Sequence, residues 1–112
     1  MARRPYTYRA IVTRVIDADT VCAQVDLGFG FSFEHKFRLA RINGPELNDP
    51  HPELRRKALE GKAFLAELVE FEEVVIETYK PDKYGRYLAE IWLDGRNVNT
   101  ELVKLGLATE MH

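Results

Sequence analysis

Hydrophobic and polar positions alternate in a way that predicts strands first and helices later. Tyr8 to Ile16 is rich in β-branched residues and holds neither Gly nor Pro, which reads as a strand. Asp17-Ala18-Asp19 interrupts it as a turn, because Asp side chains readily bond nearby backbone amides. Thr20 to Leu27 resumes the strand pattern, with Val21, Ala23 and Val25 on one face. Gly28 and Gly30 punctuate Leu27-Gly28-Phe29-Gly30-Phe31 and predict a turn or a bulge. Ser32 to Ile42 reads as a third strand, with Phe33 and Phe37 on one face and His35 between them. Three strands joined by short turns favour an antiparallel meander.

Asn43 to Pro52 breaks the pattern, with Gly44, Pro45, Pro50 and Pro52 close together, and must be an irregular loop. From Glu53 to about Phe71 strong helix formers take over. Leu54, Ala58, Gly61, Leu65 and Leu68 recur at spacings of three and four, the stripe of an amphipathic helix. Pro52 suits its first turn. Val74 to Tyr79 reads as a fourth strand and Arg86 to Leu93 as a fifth, turned by Asp94-Gly95. Asn99 to Leu105 reads as a short helix with Gly106 as its C-cap. The expected class is α+β, mainly β: a five-stranded barrel of the OB type, with one helix after strand three and a short C-terminal helix.

Composition fits that picture. A chain of 112 residues, 46% hydrophobic and 30% charged, suits one domain. Residues 8–112 are expected to form it, behind a basic arm at 1–7. Nothing approaches the roughly 18 apolar residues of a membrane-spanning helix, so no membrane partner is expected. No greasy run follows the basic N-terminus, so the expected location is cytoplasmic, or secreted if a leader is removed. Cys22 is the sole cysteine and is expected to pack as a small hydrophobe. A monomer is expected, although nothing in the sequence bears directly on oligomeric state.

The formal charge of −2 argues against gripping long duplex nucleic acid by bulk electrostatics. It is unevenly spread: Arg3, Arg4, Arg9 and Arg14 precede any acid, whereas Glu67, Glu70, Glu72, Glu73 and Glu77 form an acidic segment. If the protein handles phosphate, a few positioned arginines must do it.

Several chemistries drop out. Ser32, the only serine, lies in a strand between Phe31 and Phe33. The three histidines lack ligand spacing, and no Lys-Ser/Thr follows Gly28 and Gly30. Carboxylates and arginines at strand ends remain: Asp17 and Asp19 at the first turn, Arg38 in strand three, Glu46 in the loop, and Arg86 opening strand five. Phosphodiester cleavage needs oxygen ligands for a hard cation, guanidiniums for the transition-state charge and a carboxylate to take a proton from water. On spacing alone, Asp-x-Asp at a turn is more often a hydrogen-bonded loop than a metal site. Arg38 and Arg86 could equally pair with Glu34 or Glu90, and Glu46 could be a solvated loop acid.

The local wording adds to this. Ile16-Asp17-Ala18-Asp19-Thr20-Val21, Phe37-Arg38-Leu39 through Asn43-Gly44-Pro45-Glu46, and Asp82-Lys83-Tyr84-Gly85-Arg86 resemble the three signature segments of the staphylococcal nuclease (thermonuclease) family. The segments occur in the right order, and the likeness runs from about Tyr8 to Ala108. The resemblance implies an OB barrel that hydrolyses DNA and RNA with calcium (Ca2+) and leaves 3′-phosphate ends. It implies metal-binding roles for Asp19, Asp17, Asn43 and the Gly44 carbonyl. Glu46 would be the general base, Arg38 and Arg86 would bind the scissile phosphate, and Tyr84 with Lys83 would contact the nucleotide.

Two departures change the expectation. Asn43 stands where the best-known members have a calcium-binding aspartate, so weaker metal affinity is expected, since that affinity follows ligand charge. Gly44 replaces a threonine that offers only its backbone carbonyl. Family members also continue past the position of His112 with aromatic contacts to the base, leaving Tyr84 as the main stacking candidate. With near-neutral charge, single-stranded or frayed DNA and RNA are the expected partners. The alternative is a catalytically weak or inactive module of the same fold that binds nucleic acid or protein.

Overall fold

The computed structural model describes residues 6–81 and 87–111; the side chains of 79–81 are outside that description. The elements are β1 (Tyr6–Asp17), β2 (Thr20–Gly28), β3 (Phe31–Leu39), β4 (Ile42–Asn43), α1 (Pro52–Val69), β5 (Glu73–Pro81), β6 (Tyr87–Leu93), β7 (Arg96–Asn97), α2 (Val98–Lys104) and β8 (Thr109–Glu110). β1, β2 and β3 form the expected antiparallel meander. β5 pairs with the other edge of β1 and β6 follows antiparallel. The sheet closes where Phe37, Arg38 and Leu39 run parallel to Tyr87, Leu88 and Ala89. The result is a closed five-stranded OB-like barrel with two helices, as the order of elements predicts.

The barrel is filled by alternating inward residues. Val12, Val21, Leu39, Ile76 and Ile91 are fully buried, and Leu65 of α1 and Leu102 of α2 join the same core. The helical stripe is shifted from the expected one. Ala58, Gly61, Leu65 and Val69 are its buried positions, whereas Leu54 is 41% exposed because it lies in the first turn. α1 comes so close to the β1–β2 turn that a Cβ on Gly61 would stand 3.0 Å from the Ala18 Cβ. Beyond α1, Phe71 adopts φ 65° and its N–H donates to the Val12 carbonyl at 2.7 Å. Glu70 accepts the Val15 N–H at 3.0 Å, beside the irregular register of β1. That carboxylate supplies the partner which a bulged ladder withholds.

Several boundaries differ from the sequence reading; β5 runs Glu73–Pro81 where the pattern predicts Val74 to Tyr79, and α2 starts and stops one residue early. β1 begins at Tyr6, where Tyr6 and Thr7 pair with Thr78 and Glu77. α1 stops at Val69 instead of Phe71. The expected strand from Ser32 to Ile42 is broken: β3 ends at Leu39, the chain reverses at Ala40–Arg41 with Arg41 at φ 69°, and Ile42–Asn43 forms β4 against β8. The pattern of apolar residues continues across that reversal, so hydropathy alone does not reveal it. Asn99 holds the corner: it is fully buried, donates to the Ala40 and Ala89 carbonyls at 3.0 Å, and accepts the Ile91 N–H at 3.1 Å. α2 is capped by Asn97, which accepts the Thr100 N–H, and ends beside Gly106 at φ 74° as its sequence predicts.

Candidate active site

The reversal at Ala40–Arg41 brings β4 back beside the β1–β2 turn and so assembles a polar corner. Asp19, only 9% exposed, ends the turn. Its Oδ2 accepts the Gly44 N–H at 2.8 Å, and its Oδ1 accepts the Thr20 hydroxyl at 3.0 Å. Arg38 comes from the C-terminal end of β3, whose register sets it beside Thr20. Its Nη1 lies 3.3 Å from Asp19 Oδ2 and donates to the Leu39 and Ile42 carbonyls at 3.1 and 3.0 Å. Its Nη2 donates to Asn43 Oδ1 at 3.0 Å and reaches Met111 Sδ at 4.0 Å. A planar fork can meet this many acceptors at once, which a lysine cannot.

Four of the expected site residues therefore meet at one point: Asp19, Arg38, Asn43 and Gly44. The Arg38–Glu34 alternative does not occur, because Glu34 instead accepts the Thr13 hydroxyl at 3.4 Å. Asp17 ends β1 and is half-buried, two residues from Asp19. Glu46 lies exposed in the loop, where its carbonyl accepts the Asp49 N–H at 3.2 Å. Among the described residues neither Asp17 nor Glu46 has a side-chain hydrogen bond. Arg86, Tyr84 and Lys83 lie outside the described residues.

The close fit around Asp19 explains the glycine. A Cβ on Gly44 would stand 2.9 Å from the Ala18 Cβ, nearer than such atoms approach, so Ala18 in the turn demands a glycine opposite it. Farther along the loop, the Asp49 carboxyl is held below its ordinary 3.8 chiefly by the His51 backbone N–H. Cys22 is half-buried instead of fully packed.

Sequence reading missed the groups that hold this corner in place. Arg41 makes a forked pair with the buried Glu90, at 2.6 and 2.8 Å, and Glu90 also accepts from Asn97 at 3.0 Å. Met111 N–H donates to the Arg41 carbonyl at 2.7 Å. The only sequence signal for these is a charged residue inside an apolar strand, as Glu90 is between Ala89 and Ile91.

The donors present are oxygens of one carboxylate, one amide and backbone carbonyls, the kind a hard cation takes. No three His, Cys, Asp or Glu side chains stand together among the described residues. Comparison with known proteins gives the same direction as the geometry. Residues 36–112 match the family model described as staphylococcal nuclease homologue. The chain belongs to that nuclease family. It is 32% identical over 104 residues to a thermonuclease of Staphylococcus hyicus, covering 91% of this chain and 57% of the relative. A thermonuclease of Staphylococcus intermedius is 31% identical over 100 residues, covering 88% and 56%. Protein ParB of Escherichia coli is 31% identical over 109 residues, covering 89% and 55%. The chain thus spans a little over half the length of these relatives. No helix among the described residues is long and apolar enough to cross a membrane.

Proposed function

We propose that this domain is a calcium-dependent phosphodiesterase that cleaves DNA and RNA to 3′-phosphate products. The observation that carries the reading is the convergence of Asp19, Arg38, Asn43 and Gly44, which three separate elements bring to one corner. Asp19 and the Asn43 amide oxygen, with Asp17 and the Gly44 carbonyl nearby in the chain, would hold the cation. Bound there, calcium would supply positive charge to a phosphate oxygen. Arg38 would engage that phosphate through its fork, and Arg86 would share the charge of the transition state. Glu46, exposed and without a side-chain partner among the described residues, is free to take a proton from the attacking water. Tyr84 and Lys83 would contact the nucleotide, and near-neutral charge favours single-stranded or frayed substrates.

One observation favours the second reading, a binding module without strong catalysis: the Arg38 fork already has acceptors of the chain itself on both terminal nitrogens. Digestion of denatured DNA with and without a calcium chelator separates the two. Wild type is expected to shorten the strand only with calcium, and Glu46→Ala to lose a factor of about 10²–10⁴ in rate with an unchanged melting temperature. Asn43→Asp is expected to lower the calcium requirement. Oligonucleotide binding without shortening would favour the binding module.

A further inference from the structure

Arg14, one of the four arginines that precede any acid, takes its position from an irregularity in β1. Val12 pairs with Ala23 and Arg14 with Cys22, so Thr13 is an extra residue in that ladder. Without it, Arg14 would share the inward parity of the buried Val12. The bulge re-aims the side chain and leaves Arg14 exposed on the outer face of the sheet.

Across β2 the same row continues. Cys22 pairs with Lys36 on β3, so two cations flank one small, half-buried side chain. Long side chains on either side of a short one leave a trough. Lys36 is exposed, and neither it nor Arg14 forms an ion pair among the described residues. Neighbouring acids are engaged otherwise: Glu34 accepts the Thr13 hydroxyl at 3.4 Å, and Glu70 accepts the Val15 N–H at 3.0 Å. One row toward the corner on this face, Thr20 pairs with Arg38. One row the other way stand Gln24 and Glu34, and Asp26 follows. The cations therefore occupy two adjacent rows and stop. Two strand residues rise about 7 Å, which sets Lys36 from Arg38 by that length. Such a spacing suits successive phosphates of an extended single strand.

We propose that Arg14 and Lys36, on either side of Cys22, form a second phosphate subsite for the diester next to the one held at Arg38. The site rests on the nuclease reading and narrows its substrate to single strands with at least two diesters. The strand leaves the Asp19 corner along the outer face of β2 and ends its contacts before Asp26, whose charge repels a further phosphate. Neither cation touches the bond that breaks, so both act on substrate affinity.

Cleavage of d(TpT), which has one diester, and of a thymidine octamer tests this in calcium. Arg14→Gln and Lys36→Gln are each expected to raise KM for the octamer severalfold with kcat little changed, and together to remove most of the octamer's advantage over d(TpT). Arg56→Gln removes an exposed cation from α1 and is expected to keep that advantage. Anisotropy of a labelled octamer in a Glu46→Ala background gives a second readout. Each subsite variant should flatten the slope of log affinity against log salt by about 0.7, and Arg56→Gln should not. An octamer advantage and a salt slope that survive the double variant overturn the subsite and leave the nuclease reading standing. Equal losses from Arg56→Gln overturn it as well. A wild type that binds the octamer without cleaving it sinks the nuclease reading alone, and the salt slope still decides the subsite. Failure to bind or cleave either probe removes both. Phosphatidylglycerol vesicles bound through Arg14 and Lys36, with octamer affinity unchanged in the variants, would make a lipid headgroup the ligand and overturn the proposal.

Discussion

The two ends of β2 and β3 treat their side chains in opposite ways. At one end Asp19 and Thr20, both polar, are buried, and Arg38 beside them is largely covered. At the other end Phe29, Phe31 and Phe33, all apolar, are exposed. Intrinsic hydropathy would reverse this arrangement. What differs is the covering: α1 and β4 pack over the Ala18 turn, whereas no described element packs over the Gly28–Gly30 tip. Burial is decided by which elements reach a position, and a polar group tolerates it only when fully partnered. The Asp19 carboxylate meets that condition, with the Gly44 amide, the Thr20 hydroxyl and Arg38 as its partners.

The contrast can be broken at either end. The largest effect is expected from Arg38→Ala, which removes the cation at the corner. Nuclease rate should fall by about 10³–10⁵, measured on denatured DNA at saturating calcium, if this arginine acts as others do in phosphoryl transfer. A fall smaller than tenfold would deny Arg38 a part in the transition state.

Asn99→Ala attacks the support of the same corner. It strands the Ala40 carbonyl and the Ile91 N–H, each worth about 1–3 kcal/mol when left without a partner, while the Ala89 carbonyl keeps the Ala40 N–H at 2.9 Å. Chemical denaturation should register a loss of several kcal/mol, and loss of fold at physiological temperature would agree with it. An unchanged midpoint would mean that water replaces the amide at no cost.

Gly44→Ala is milder. The added Cβ would press on Ala18 at 2.9 Å, so a loss of about 1–3 kcal/mol is expected, as for other overpacked sites. Pairing it with Ala18→Gly should restore most of the loss, because the atom it strikes is then gone.

At the hairpin tip the expected effect on a dilute monomer is close to nothing. Phe29→Ser should change stability by less than about 0.5 kcal/mol, since the ring has no cover to lose. A larger destabilisation would show that the tip is packed in solution, and the contrast between the two ends would fail.

Local signals made much of this chain legible. β-branched runs, the Asp-x-Asp turn, the Pro-rich break and the three-four stripe gave the five long strands and both helices little room to be otherwise, apart from their ends, whereas the two-residue strands β4, β7 and β8 carried no such signal. Arg38 and Asp19 were legible as candidates because acids and arginines at strand ends are few and sit in specific wording. The reversal at Arg41 was not legible, since no glycine or proline marks it and Ile42 continues the apolar pattern. Asn99 and Glu90 were not legible as supports either, because their partners lie in the Ala40–Arg41 reversal, on β6 and on β7.

By itself, the sequence determined which segments become strands and helices and which residue types were available for phosphate chemistry. Those choices depend on backbone preferences and on spacing within a few residues. Only the tertiary structure decided that Arg38 faces Asp19 instead of Glu34, that Ala18 forces a glycine at 44, and that three phenylalanines stay outside. Each of these turns on a contact between residues far apart in the chain, where a shift of one position changes which atoms meet.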